Sequence, residues 1–173
     1  RMKPYVCAFG EAGVAGKKSL TTAYGTYFAT PLTSGFAACA WQMNRDASNM
    51  EMFKKIEQSG DLYPYFDYAH GFGVPQAKFF SSAQDAITTL STFKLIVSDD
   101  TLKLVVNKNY ADFEKDTAKL LLYYHIENLK GYLDKYYVIA VHQYEALALN
   151  LTDYPKGCIL RFHLKGYTES YHL

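Results

Sequence analysis

The chain has 173 residues, 49% of them hydrophobic, which is a length for one ordinary domain or two small ones and a composition that excludes a disordered segment. Eighteen Lys and Arg stand against 17 Asp and Glu, a formal net charge of +1, so no long-range field favours nucleic acid or an anionic membrane as a partner. No apolar run approaches the ~20 residues that a spanning helix needs, and no membrane span is expected.

Residues 3 to 9 are apolar enough to form a strand buried on both faces, the pattern of a parallel strand beneath helices. Gly10, Gly13 and Gly16 then predict a loop over 10 to 20. They lack the Gly-x-Gly start of a dinucleotide fingerprint, so no phosphate cradle is expected. Ala23 to Ala40 reads as a tight glycine turn running into a helix over 28 to 43, with Pro31 in its first turn, where a missing N–H costs least. Phe28, Leu32, Phe36, Cys39 and Met43 recur at helical spacing, and Ala29, Ala37, Ala38 and Ala40 fill much of the remainder. A helix apolar nearly all round belongs inside a larger body, and exposed apolar surface is expected where that body is incomplete. Ser48-Asn49-Met50-Glu51 is a capping box opening a helix that runs to about Gln58. Tyr63 to Gly73 reads as an aromatic surface loop, followed by a short helical piece around Gln76 to Phe80.

Beyond Ser81 the period changes from helical to two-residue alternation. It runs through Phe93, Leu95, Val97; Leu102, Leu104, Val106; Leu120, Leu122, Tyr124, Ile126; Tyr137, Ile139, Val141; Leu147, Leu149, Leu151; and Cys158, Leu160, Phe162, Leu164. Turn signals at 98 to 100, 107 to 109, 128 to 131 and 153 to 157 separate the runs, which predicts an all-β antiparallel sandwich. The boundary is placed near residue 88, giving domains over 1–87 and 88–173.

Three stretches of the first domain carry a resemblance. Gly25-Thr26-Tyr27-Phe28-Ala29-Thr30-Pro31 resembles the Gly-Thr-Ser-(Met/Phe)-Ala-(Thr/Ser)-Pro helix start of the subtilisin-like serine proteases (subtilases, peptidase family S8), with Tyr27 at the place of the nucleophilic serine. Upstream, Lys3-Pro4-Tyr5-Val6-Cys7-Ala8-Phe9-Gly10 is similar to the Lys-Pro-Asp-Val-x-Ala-x-Gly strand of that family, with Tyr5 for aspartate. Downstream, Gly71-Phe72-Gly73-Val74-Pro75-Gln76-Ala77 resembles its closing Gly-(Tyr/Phe)-Gly-x-x-(Asn/Asp)-Ala segment, with Gln76 at the Asn/Asp position.

The resemblance implies an α/β fragment of a subtilisin-like parallel-sheet domain followed by the sandwich: the C-terminal portion of a peptidase domain whose upstream part would be its partner. Arg1-Met2 falls within a strand motif, so the natural amino terminus is expected further upstream. The family implies secretion or display at a surface or in a periplasm, and a polypeptide substrate for the parent protease. It also implies a truncated pseudoenzyme here, because the triad runs Asp, His, Ser in chain order, and the 26 residues before Tyr27 contain neither aspartate nor histidine. The phenol oxygen of Tyr27 would reach past the place of a seryl oxygen and fill the cleft. Thr26, Thr30 and Ser34 turn away from that place by ~100° per residue and read as structural hydrogen-bonders. No cofactor is expected; calcium stabilises many subtilases, but no binding loop is identifiable in this sequence.

The remaining candidates have plainer readings. Cys7, Cys39 and Cys158 are an odd number in apolar contexts and read as buried free thiols. His70, His125, His142, His163 and His172 lack metal-ligand spacing and read as half-exposed. Asp99, Asp100, Asp112, Glu114 and Asp116 read as solvated turns. Tyr123-Tyr124 with Tyr136-Tyr137 is open to two readings, a glycan- or peptide-binding platform or cross-strand packing. Asn150-Leu151-Thr152 fits the N-glycosylation pattern. A non-catalytic binding module built on the sandwich is the alternative function. Decay of the coding sequence is a further account of Tyr5 and Tyr27, since Asp→Tyr and Ser→Tyr each need a single base change.

Overall fold

The computed structural model describes residues 3–81, 90–109 and 120–173. The expected boundary near residue 88, and Arg1, Met2, Asp112, Glu114 and Asp116, lie outside them. The chain divides into two compact units, Arg1–Ile87 and Thr88–Leu173. Every strand pair among the described residues is antiparallel, so the chain is β-rich with a few helices and the expected parallel α/β arrangement is not present in them.

The first unit opens with an extended segment over 3 to 10 that belongs to no sheet. Its backbone bonds instead to the loop after the second helix, with Phe72 N–H donating to Tyr5 O at 2.8 Å and Cys7 N–H to Gly73 O at 3.0 Å. The loop expected over 10 to 20 holds strand β1 (Glu11–Ala15), paired with β2 (Leu20–Tyr24) in a two-stranded hairpin. Gly13 and two alanines give β1 no side-chain alternation to read, which is why its glycines suggested a loop.

Helix α1 (Thr26–Met43) starts two residues earlier than expected. Pro31 therefore sits in the second turn, where it returns no N–H to the Tyr27 carbonyl, rather than at a position whose N–H is spare. Of its 18 residues Ala40 alone is buried; Tyr27, Leu32, Trp41 and Met43 are exposed, which is the exposed apolar surface expected of this helix. Helix α2 (Asn49–Gln58) carries the expected capping box: Ser48 N–H donates to Glu51 Oε2 at 2.7 Å, and Glu51 N–H to Ser48 Oγ at 3.4 Å. The backbone and hydroxyl bonds from Ser48 hold the Glu51 carboxyl below its ordinary pKa. A single turn, α3 (Lys78–Ser81), ends the described part of this unit, and its Phe80 meets Phe36 of α1 edge to face at 5.7 Å.

The second unit contains strands β3 (Phe93–Ser98), β4 (Thr101–Val106), β5 (Leu120–Glu127), β6 (Leu133–Val141), β7 (Glu145–Asn150), β8 (Ile159–Leu164) and β9 (Tyr167–His172). They form a three-stranded sheet in the order β3-β4-β7 and a four-stranded sheet in the order β6-β5-β8-β9. One side of each sheet feeds a single core: Phe93, Leu102, Leu104, Val106 and Leu149 come from the first, and Leu122, Ile126, Leu160, Phe162 and Leu164 from the second. The Phe93 and Tyr167 rings meet at 5.1 Å, and the Thr92 hydroxyl donates to Leu164 O at 2.8 Å, tying the start of β3 to the end of β8. Lys165 and Gly166, both at positive φ, make the two-residue turn into β9. Leu151, expected to continue β7, instead begins a 3-10 helix over Leu151–Asp153. Among the described residues no helix is long and apolar enough to cross a membrane.

Candidate functional site

The three stretches that carry the resemblance come together in the first unit. The Lys3–Gly10 segment bonds on one side to Phe72 and Gly73, and at its end Gly10 O accepts from Gly25 N–H at 2.8 Å, immediately before α1. Gly71, at φ 65, and Gly73, at φ 82, occupy backbone that disfavours any side chain. A Cβ on Gly71 would run into the carbonyls of Pro4 and Tyr5, and one on Gly73 into the Asp61 carboxylate. The glycines are thus what lets the third stretch lie against the first.

Tyr27 is the second residue of α1 and is 66% exposed. Its ring folds back over Gly25, where a Cβ would collide with ring carbons, and its hydroxyl donates to Tyr24 O at 3.4 Å. It packs on Phe28 with ring centroids 4.6 Å apart. The phenol therefore covers the helix entrance. Thr30 Oγ1 donates to Thr26 O and Thr33 Oγ1 to Ala29 O, each at 3.1 Å, so these hydroxyls serve the helix backbone.

Two polar clusters were not foreseen. In the loop after α2, Asp67 is buried and its Oδ2 accepts from Ala69 N–H at 3.1 Å, His70 N–H at 2.8 Å and the His70 ring at Nδ1. Its Oδ1 is buried and has no hydrogen-bond partner among the described residues. The His70 ring is half exposed, so an aspartate orients an imidazole here, but within one turn of a loop that also closes Gly71 N–H onto Asp67 O at 2.6 Å. The arrangement fixes the loop that receives Tyr5.

The second cluster lies across β5, β8 and β9. Glu127 accepts from Arg161 Nε at 2.8 Å and Nη2 at 3.2 Å and bonds His125 Nε2 at 3.0 Å, while Arg161 Nη1 donates to Ser170 Oγ at 3.3 Å. Burial pushes the Glu127 carboxyl up, yet the bonds and charges of Arg161 and His125 outweigh it and hold the group below its ordinary pKa. Alternation places Glu127 two residues from His125 on one face, and the register sets Arg161 opposite His125.

The histidines are more buried than expected. His125 and His163 are 2% and 1% exposed, on the face of the four-stranded sheet opposite the core-facing Tyr124, Phe162 and Leu164. Burial lowers the His163 pKa to about 4, so the ring is neutral: Nε2 accepts from Gly166 N–H at 3.3 Å, which leaves Nδ1–H to donate to Thr168 Oγ1 at 2.8 Å. His142 and His172 are exposed. No group of three or more His, Cys, Asp or Glu among the described residues could hold a metal ion.

The tyrosine quartet is divided between two faces. Tyr124 stacks on Tyr137 at 4.7 Å, and burial, with Tyr154 and Tyr137 nearby, raises its pKa to about 12; Tyr124 belongs to the core, whereas Tyr137 on the same face is exposed. Tyr123 and Tyr136 point the other way. All three cysteines are free, as expected, but Cys39 is exposed. Burial raises the Cys7 thiol, with Asp61 and Asp67 adding to it, and raises Cys158, so neither is a ready thiolate.

Compared with protein-family models, curated proteins and solved structures, the chain matches none.

Proposed function

We propose that the chain is the C-terminal segment of a secreted subtilisin-like serine endopeptidase, catalytically silent as it stands, carrying a β-sandwich as its second domain. The observation that carries the reading is that the Lys3–Gly10 segment is hydrogen-bonded to both of the other motifs, through Tyr5 and Cys7 to Phe72 and Gly73, and through Gly10 to Gly25 just before α1. In this reading Tyr27 stands at the nucleophile's position with its ring over Gly25, and the exposed apolar sides of α1 belong against an upstream part of the peptidase domain. An oxyanion at a helix start would gain from backbone donors there, but without a small hydroxyl and a base beside it no acyl transfer follows.

Fluorophosphonate labelling of the purified chain is expected to give no covalent adduct, and labelling of any residue would contradict the reading. The stronger test joins the segment to the upstream portion of a subtilase and restores serine by Tyr27→Ser. Recovered peptide hydrolysis supports it, and silence of that chimera, if folded, sinks it.

A second reading assigns the function to the sandwich, as a module that binds a glycan or peptide. It is favoured by Tyr136 and Val138, which β6 leaves 46% and 40% exposed on one face of the four-stranded sheet. Screening polysaccharides and peptides against the chain and its Tyr136→Ala variant separates the two.

A further inference from the structure

We propose that Asn150 is an acceptor for N-linked glycosylation, held by the fold in a conformation suited to the transfer. The chain has six asparagines, at 44, 49, 107, 109, 128 and 150, and Asn150 alone is followed two positions on by a hydroxyl residue. The intervening Leu151 is not proline, as the acceptor pattern requires.

A three-letter match carries little by itself, and the geometry adds the second observation. Asn150 is the exposed last residue of β7 and caps the 3-10 helix that follows. Its Oδ1 accepts from Thr152 N–H at 3.1 Å and from the Thr152 hydroxyl at 2.8 Å. Neither bond engages Nδ2, the atom that would take the sugar. An amide nitrogen is a poor nucleophile because its lone pair is delocalised onto oxygen. A hydroxyl donating to that oxygen stabilises negative charge there and makes the Nδ2 proton easier to remove, so Thr152 acts as a positioning residue for Asn150.

The co-reactant is a lipid-linked oligosaccharyl pyrophosphate. A bond forms between Nδ2 and C1 of the first sugar, the bond from C1 to the pyrophosphate oxygen breaks, and the lipid pyrophosphate leaves with the electron pair. The Nδ2 proton passes to a base of the transferase, and no oxidation state changes.

The molecule contains its own comparison. Asn128-Leu129-Lys130 repeats the Asn-Leu pair, is exposed, and makes the same kind of turn, with Asn128 Oδ1 accepting from Lys130 N–H at 2.9 Å and Tyr132 N–H at 3.1 Å. What it lacks is the hydroxyl two residues on, so Asn128 should remain unmodified.

The inference rests on the export assigned under the proposed function, and the experiment reads import and modification separately. The full chain behind a heterologous signal peptide is translated with endoplasmic-reticulum microsomes, and the protease-protected fraction is analysed with and without an N-glycosidase. Protected wild type is expected to carry one glycosidase-sensitive glycan, lost in Asn150→Gln and Thr152→Ala and retained in Thr152→Ser. Lys130→Thr should add a second. Protected chain without a glycan, or a glycan that persists in Asn150→Gln, overturns the proposal.

Discussion

In the second unit two sheets turn their apolar sides toward one another, and Leu102, Leu104, Leu122, Leu160, Phe162 and Leu164 are wholly buried between them. In the first unit an 18-residue helix of similar apolar content buries Ala40 alone, and the buried apolar side chains of the whole unit, among the described residues, are Ala40, Met52, Leu62 and Tyr65. Composition therefore does not decide burial; a partnering surface does. A strand that alternates needs one neighbouring sheet to satisfy it, whereas a helix apolar on all sides needs neighbours all round.

The comparison is broken most directly by truncating one large side chain in each unit. Phe162→Ala removes a ring with no exposure from the centre of the second unit and is expected to cost ~3–5 kcal/mol. Leu32→Ala, at a helix position 53% exposed, should change stability by less than ~0.5 kcal/mol. Urea denaturation followed by tyrosine fluorescence measures both. Equal losses would mean that α1 is packed as tightly as the sheets, and the contrast between the units would fail.

Acid titration sharpens the same contrast, because the buried titratable histidines lie in the second unit. His163 is neutral when folded, with its pKa lowered to about 4 by burial, while the unfolded chain takes the proton near 6.5. Between those values the unfolded state binds more protons, so stability rises with pH, is complete above about 6.5 and falls as pH drops toward 4. A fall from 6.5 to about 4 corresponds to about 3 kcal/mol. Glu127 acts lower: its folded pKa is depressed, so its contribution is present above the unfolded value of ~4.3 and is lost as pH falls through the folded one. Stability measured from pH 7 to pH 4 in wild type and His163→Asn checks the larger effect. An unchanged slope in the variant would assign the acid sensitivity to other groups.

The capping box gives a smaller effect confined to the first unit. Ser48→Ala removes the hydroxyl that accepts from Glu51 N–H and should destabilise α2 by ~1 kcal/mol, with Ser48→Asp largely restoring it. Far-UV circular dichroism during thermal unfolding reads the loss, and an alanine variant indistinguishable from wild type would show that α2 is held by packing through Met52 instead.

What was legible in the sequence follows the same physical line. Strands β3 to β8 announced themselves because apolar residues alternate at most inward positions and most of the turns carry Gly, Asn or Asp, the His142-Gln143-Tyr144 turn between β6 and β7 being an exception. Strand β9 did not, since Glu169 falls opposite core-facing Phe162 and interrupts the alternation of Tyr167 and Tyr171; its charge is accommodated by a bond from the Tyr167 hydroxyl at 3.3 Å. The capping box was readable because its chemistry is local. The Asp67–His70 and Glu127–Arg161 pairs were not, the first because it depends on how one loop turns and the second because its partners are 34 residues apart and meet only through strand register. The meeting of the Tyr5 and Gly73 stretches was likewise hidden: it is made by backbone atoms, which carry no residue signature.

The smallest effect on folding stability is expected where the first unit is least satisfied, and that is also where its effect on association should be seen. Leu32→Glu places a charge on a side of α1 that is already in water, so thermal stability should move by less than ~0.5 kcal/mol. Tyr27, Leu32, Trp41 and Met43 expose apolar area along one helix, which favours sticking to other apolar surfaces. The charge should therefore lower self-association measured by sedimentation, and lower binding of an apolar dye, without altering the unfolding midpoint. A variant that instead unfolds several degrees earlier would mean that Leu32 is covered in solution, and the contrast in burial between the two units would fail.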